Sequence, residues 1–122
     1  MSEIPIINLG YATIDVRGLL SRQLISIQNE LKFGSYKIKL LLTLKDFYSF
    51  INHPSVKGDI YNIDIVKSSG VFVKEINGEY FGITIKGRDF TGPSSIVCEY
   101  SAYTDQGLSL IQKRFPINFG GK

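Results

Sequence analysis

The feature that most constrains this chain is the stretch from residue 58 to 103, where apolar and polar residues alternate in short runs separated by glycine, asparagine and proline. Side chains on a strand point to opposite faces in turn, so this alternation describes half-buried strands and the punctuation describes tight connections between them. Tyr61, Ile63 and Ile65 share one face of a strand over residues 60–67, with Asn62 and Asp64 on the other. Asn77-Gly78 lies between the runs 71–76 and 79–86. A two-residue hairpin turn needs positive φ at both positions, which Asn and Gly tolerate best, so the turn is expected there. That register puts Phe72, Ile76, Phe81, Ile83 and Ile85 on a core face, and Val71, Val73, Glu75, Tyr80 and Thr84 on the other. Residues 95–103 predict a further strand with Ile96, Cys98, Tyr100 and Ala102 aligned.

The flanking segments mix the two periodicities. Residues 11–16 alternate around Ala12, Ile14 and Val16 and predict a short first strand. Leu20, Leu24, Ile27 and Leu31 recur at helical spacing, and Gly34 stands where such a helix would stop. Residues 35–43 predict a strand with Tyr36, Ile38, Leu40 and Leu42 on one face and Lys37 and Lys39 on the other; Leu41 turns that second face apolar. Thr43, with Asp46 three residues on, is a cap for a helix whose stripe is Leu44, Phe47, Tyr48 and Ile51 and whose stop is Pro54. Leu108, Ile111 and Phe115 predict a last short helix, capped by Thr104 or Asp105 and stopped by Pro116. The fold class expected is α+β: an antiparallel sheet of five or six strands with two or three helices packed on one face. A chain of 122 residues, 43% hydrophobic, has apolar side chains for one core, so a single domain is expected over 1–122, with loose ends near 1–8 and 118–122.

Chemistry is sparse. His53 is the only histidine, and it stands at a helix end before Pro54, where a cation can simply complement the helix dipole. No serine or cysteine nucleophile with an acidic orienter accompanies it by spacing. Asp59 and Asp64 are expected on opposite faces, and Glu75 and Glu79 likewise by the hairpin register, which separates the carboxylates that hydrolysis would pair. Cys98 shares its face with apolar neighbours and reads as a small buried hydrophobe. One cysteine forms neither an internal disulfide nor a paired-cysteine zinc site, and the glycines form no phosphate cradle. No cofactor, metal or catalytic residue is therefore expected. No apolar run approaches the length that spans a bilayer, and the cysteine usage points to the cytoplasm.

What remains is binding. Seven tyrosines and no tryptophan supply amphipathic rings of the kind enriched in contact surfaces. The primary reading is a small non-enzymatic protein-binding module, such as an inhibitor, an immunity protein or a phage accessory protein. Its candidate partner-binding residues are Val71, Val73 and Tyr80 on the hairpin's second face, with Lys37 and Lys39. Apolar surface left uncovered on that face would also serve self-association as a homo-oligomer. The formal charge of +3, with Lys37 and Lys39 on one strand face, makes RNA an alternative partner. A second alternative is a small metal-independent ribonuclease or toxin using His53.

Overall fold

A computed structural model describes residues 4–31 and 36–120. In chain order the elements are α1 (Val16–Leu31), β1 (Lys37–Thr43), α2 (Leu44–Asn52), a single 3-10 turn (Lys57–Asp59), β2 (Ile60–Ser69), β3 (Phe72–Tyr80), β4 (Ile83–Arg88), β5 (Ser95–Thr104) and β6 (Gly107–Pro116). The six strands form one sheet in the order β2-β3-β4-β1-β5-β6. The overall class is α+β as expected, but the sheet is mixed. β1 runs parallel to β4, with Leu40 beside Ile85 and Leu42 beside Gly87, while every other neighbouring pair is antiparallel. The chain leaves β1 through α2, builds the β2-β3-β4 meander and returns beside β1 in the same direction. No local pattern records such a return, because it is a relation between strands more than 40 residues apart.

Both helices cover one face. Val16, Leu20, Ile27 and Leu31 of α1 and Phe47 and Phe50 of α2 are buried in one cluster with Leu40 and Leu42 of β1, Ile85 of β4, and Ile96 and Cys98 of β5. Thr43 caps α2, its Oγ1 accepting from the Asp46 backbone N–H at 3.2 Å. The reciprocal bond of a capping box is relayed here: the Thr43 N–H donates to Ser94 Oγ at 3.1 Å, and that hydroxyl donates to the Asp46 carboxylate. Phe47 lies flat against β4, where a Cβ on Gly87 would stand 2.8 Å from its Cβ and Cγ. Glycine is what lets the helix approach the sheet this closely.

Three local expectations are corrected. Residues 11–16 do not form a strand; they turn into α1, whose first turn is satisfied by Asp15, with Oδ1 accepting from the Gly18 N–H at 3.0 Å. The segment with Leu108, Ile111 and Phe115 is strand β6, not a helix. Thr104 does cap there, but what it closes is a hairpin turn: its Oγ1 accepts from the Gln106 N–H, and Gly107 takes φ 99°. Third, β3 runs straight through Asn77-Gly78, and the turn lies at Phe81-Gly82, with φ 49° and 78° and Tyr80 paired to Ile83. Gly78 has a packing role instead, since a Cβ there would meet Ile63 Cδ1 at 2.9 Å. The turn's true place puts Tyr80 on the helix side, its ring edge-on to Phe50 at 5.2 Å. The described parts of the two ends of the chain, near 1–8 and 118–122, meet each other. Ile7 donates to the Asn118 carbonyl and Leu9 to that of Gly120, with Ile7, Ile117 and Phe119 buried. The Gly34 stop expected for α1 lies outside the described residues.

Candidate interaction surface

The polar groups that chemistry might use are individually occupied. His53 is 3% exposed. Its Nε2 lies 2.9 Å from the Tyr11 carbonyl, and its Nδ1 accepts from the Ser55 backbone N–H at 3.1 Å, so the imidazole is held as the Nε2–H tautomer with both nitrogens engaged. It ties α2 to the turn before α1. A groove of about 800 Å³ beside it is lined by Lys45, Asp46, Ser49 and Asn52, and the Ser55 hydroxyl lies 3.0 Å from Nδ1, the nitrogen that also accepts from the Ser55 backbone N–H. Cys98 is fully buried, and that burial pushes its thiol above its ordinary pKa, the opposite of an activated nucleophile. Glu75 and Glu79, expected on opposite faces, share one because β3 is continuous. They stand four residues apart and are engaged separately, Glu75 with Arg88 at 3.3 Å and Glu79 with the Asn62 amide at 2.6 Å. Among the described residues no group of three His, Cys, Asp or Glu is arranged to hold a metal ion.

The five residues expected to form one partner surface are not brought together. Tyr80 is 2% exposed, in the core. A Tyr80→Glu change would place a carboxylate among Phe50 and Phe81. Val71 is 91% exposed in the β2–β3 turn, and Val73 is half-buried against the core cluster. Lys37 and Lys39 do share a face, the open side of the sheet, but lie three strands away from Val71.

That open side has a charge pattern of its own. By strand alternation and register, Lys39 and Leu41 of β1, Lys86 and Arg88 of β4, Val97 and Glu99 of β5, and Gln112 and Arg114 of β6 point away from the helices. All of them but Glu99 line a depression of about 150 Å³ whose floor is Leu41 and Val97, both buried beneath the lysine and arginine stems. Lys39 meets Glu99 at 3.8 Å and Arg88 meets Glu75, which leaves Lys86 and Arg114 with no ion pair among the described residues.

The two ends of the sheet differ more sharply. β2, one edge, pairs with β3 through three register shifts, and Asn62 sits in the left-handed region at φ 56°. β6, the other edge, pairs with β5 over ten consecutive residue pairs without a shift. No strand covers the outer side of β6 among the described residues. Its open-face residues near the turn, Leu108 and Leu110, are exposed, Leu110 by 71%, beside Tyr103 of β5 at 86%. Lys113 and Arg114 follow toward its far end, neither in an ion pair among the described residues. Sequence reading missed this edge because it assigned the segment to a helix. The alternation of Leu108 and Leu110 was the available signal, and it competed with the helical spacing of Leu108, Ile111 and Phe115.

Among the described residues no helix is long and apolar enough to cross a membrane. Comparison with protein-family models, with curated proteins and with solved structures returns no match to this chain.

Proposed function

We propose that this chain is a non-enzymatic protein-binding module that takes an extended segment of its partner as a seventh strand alongside β6. The observation that carries the reading is the ten-pair ladder between β5 and β6, unshifted and, among the described residues, bare on its outer side. Such an edge presents a row of backbone donors and acceptors already spaced for another strand. Main-chain hydrogen bonds then supply affinity, and the exposed Leu108, Leu110 and Tyr103 supply side-chain contacts. An inhibitor, an immunity protein or a phage accessory protein acts through stable occupancy of this kind and needs no catalytic group. A lone buried cysteine suits the reducing cytoplasm as the place of work.

The test is a display library of linear ten-residue peptides selected against the folded protein. Selected binders are expected to be intolerant of backbone N-methylation at one alternate set of amides, those turned toward β6, and tolerant of it at the other set. Tolerance of both sets would remove strand addition as the mode of binding. RNA is the second reading, favoured by the cationic depression around Lys39, Lys86 and Arg114. It requires retention of RNA at about 50 mM salt and a steep loss as salt rises; absence of retention removes it.

A further inference from the structure

Resting on the strand-addition reading, we infer that the segment taken by β6 carries two adjacent carboxylates at one end and apolar side chains at the other. β6 itself dictates this. Neighbouring residues on a strand face opposite ways, so Lys113 on the helix side and Arg114 on the open side present one cation on each face at the same point of the edge. An incoming strand therefore meets both only if it places acids at two consecutive positions. Toward the turn the same edge presents Leu108 and Leu110 on the open face and Ile111 on the helix side, which match apolar residues. Behind the edge, Lys39, Lys86 and Arg88 share the open side with Glu75, Glu79 and Glu99, and Lys86 and Arg114 are in no ion pair among the described residues, so the open side draws an acidic segment from a distance as well.

The alternatives fit less well. A second copy adding its own β6 antiparallel about a two-fold centred on Ile111 sets Arg114 opposite Leu108 and Lys113 opposite Ser109, so the four cations meet no acid. RNA would supply charge but leave the strand's outer backbone groups and the leucines unmatched. Among the described residues the exposed ring of Tyr103 lies at the hairpin end of β5, away from the cations, and Phe115 beside them is packed against the core cluster.

The experiment uses the whole chain and six synthetic ten-residue peptides of alternating valine and threonine. Two carry adjacent glutamates near the N-terminus or near the C-terminus, matching antiparallel and parallel addition. The other four replace the glutamates of each by glutamine or by lysine. Nuclear magnetic resonance titration at low salt should show one glutamate peptide binding about tenfold more tightly than its glutamine version, with the lysine version weaker still. In the Lys113→Glu/Arg114→Glu variant the order should invert. Each peptide is also run with its alternate amides N-methylated. Equal affinity of glutamate and glutamine peptides, with N-methylation still selective, overturns the acidic pair and leaves strand addition standing. Loss of N-methyl selectivity overturns both. An RNA oligonucleotide that displaces the glutamate peptide and loses affinity in the same double variant, or a concentration-dependent dimer lost in that variant, would assign the edge to those occupants and overturn the proposal.

Discussion

The two edges of this sheet belong to strands of equal length, ten residues each, yet they are built on opposite principles. β2 is interrupted: extra residues break its pairing with β3 at three places, Asn62 turns into the left-handed region, and its amide is spent on Glu79. Each bulge twists the strand and interrupts the row of free backbone groups. β2 also carries the exposed Ile63, Ile65 and Val66, so an uninterrupted edge there would invite uncontrolled pairing. β6 has no such interruption. Its apolar residues are as exposed, but its guards are confined to Lys113, Arg114 and Pro116 at one end. The contrast teaches that exposed apolar surface alone does not mark the interaction edge; regularity of the backbone beside it does.

The strongest way to disturb this comparison is from the shared core. Phe47 is fully buried, lies on Gly87 and approaches Gly78, so Phe47→Ala should cost about 3–5 kcal/mol by chemical denaturation. Because the lost ring lies under β3 and β4, amide exchange should accelerate more on the β2-β3-β4 side than on β5 and β6. Equal acceleration on both sides would mean the two ends are not separately supported.

The two strand glycines give a finer contrast. A methyl on Gly87 meets the immobile Cβ and Cγ of Phe47, whereas one on Gly78 meets the tip of the half-exposed Ile63 side chain. Gly87→Ala should cost about 1–3 kcal/mol from overpacking, and Gly78→Ala under about 1 kcal/mol. A reversed order would show that the β2 end is packed more firmly than its exposure implies.

Alkaline pH probes both halves at once. Burial raises the Cys98 thiol, and burial followed by the charges of Asp59 and Asp15, opposed by Arg17, raises the Tyr80 phenol. In each case the folded protein holds a proton that the unfolded chain releases sooner. Stability from these groups is thus complete below the unfolded pKa values and is lost as pH climbs through the folded ones, from about pH 8.5 upward. Cys98→Ala should flatten the first part of that decline and Tyr80→Phe the later part. At neutral pH, Tyr80→Phe should be close to neutral, because the buried hydroxyl has no hydrogen-bond partner among the described residues to lose. A large loss in Tyr80→Phe at pH 7 would contradict this placement.

Smallest of all in stability are the edge substitutions themselves. Leu110→Lys and Ile63→Lys should each change unfolding free energy by no more than about 0.5 kcal/mol, as exposed positions do. Their effects on binding should diverge, with Leu110→Lys weakening a selected peptide and Ile63→Lys leaving it unchanged.

How much of this was legible in the sequence follows from where each signal resides. The Thr43 cap, the α2 stop before Pro54 and the two faces of β1 are local and read correctly from spacing and capping chemistry, but the stripe expected for α2 left out the buried Phe50 and included the exposed Tyr48. Asn77-Gly78 misled because two turn-competent dipeptides lie four residues apart, and local preference favoured the wrong one. What selects Phe81-Gly82 is the packing of Tyr80 on Phe50 and the need for a flat backbone at Gly78, both tertiary. That displaced turn moved Tyr80 from a predicted contact surface into the core. The bare edge at β6 and the cationic depression were invisible for a related reason. Both depend on β1 returning beside β4 and on β6 being last in the sheet, which no periodicity encodes. Lys37 and Lys39 were placed on the right face, but Lys86 and Arg114, which complete their charge, come from strands assembled around them.

The most direct test of the central contrast is backbone amide hydrogen exchange measured strand by strand, in the free protein and with a selected peptide at saturation. The amides of β6 turned toward solvent should exchange freely without peptide and slow by at least about tenfold with it, as new inter-strand hydrogen bonds form. Those of β2 should not change. Protection appearing on β2, or binding with no protection on either edge, would contradict the assignment of β6 as the strand that receives a partner.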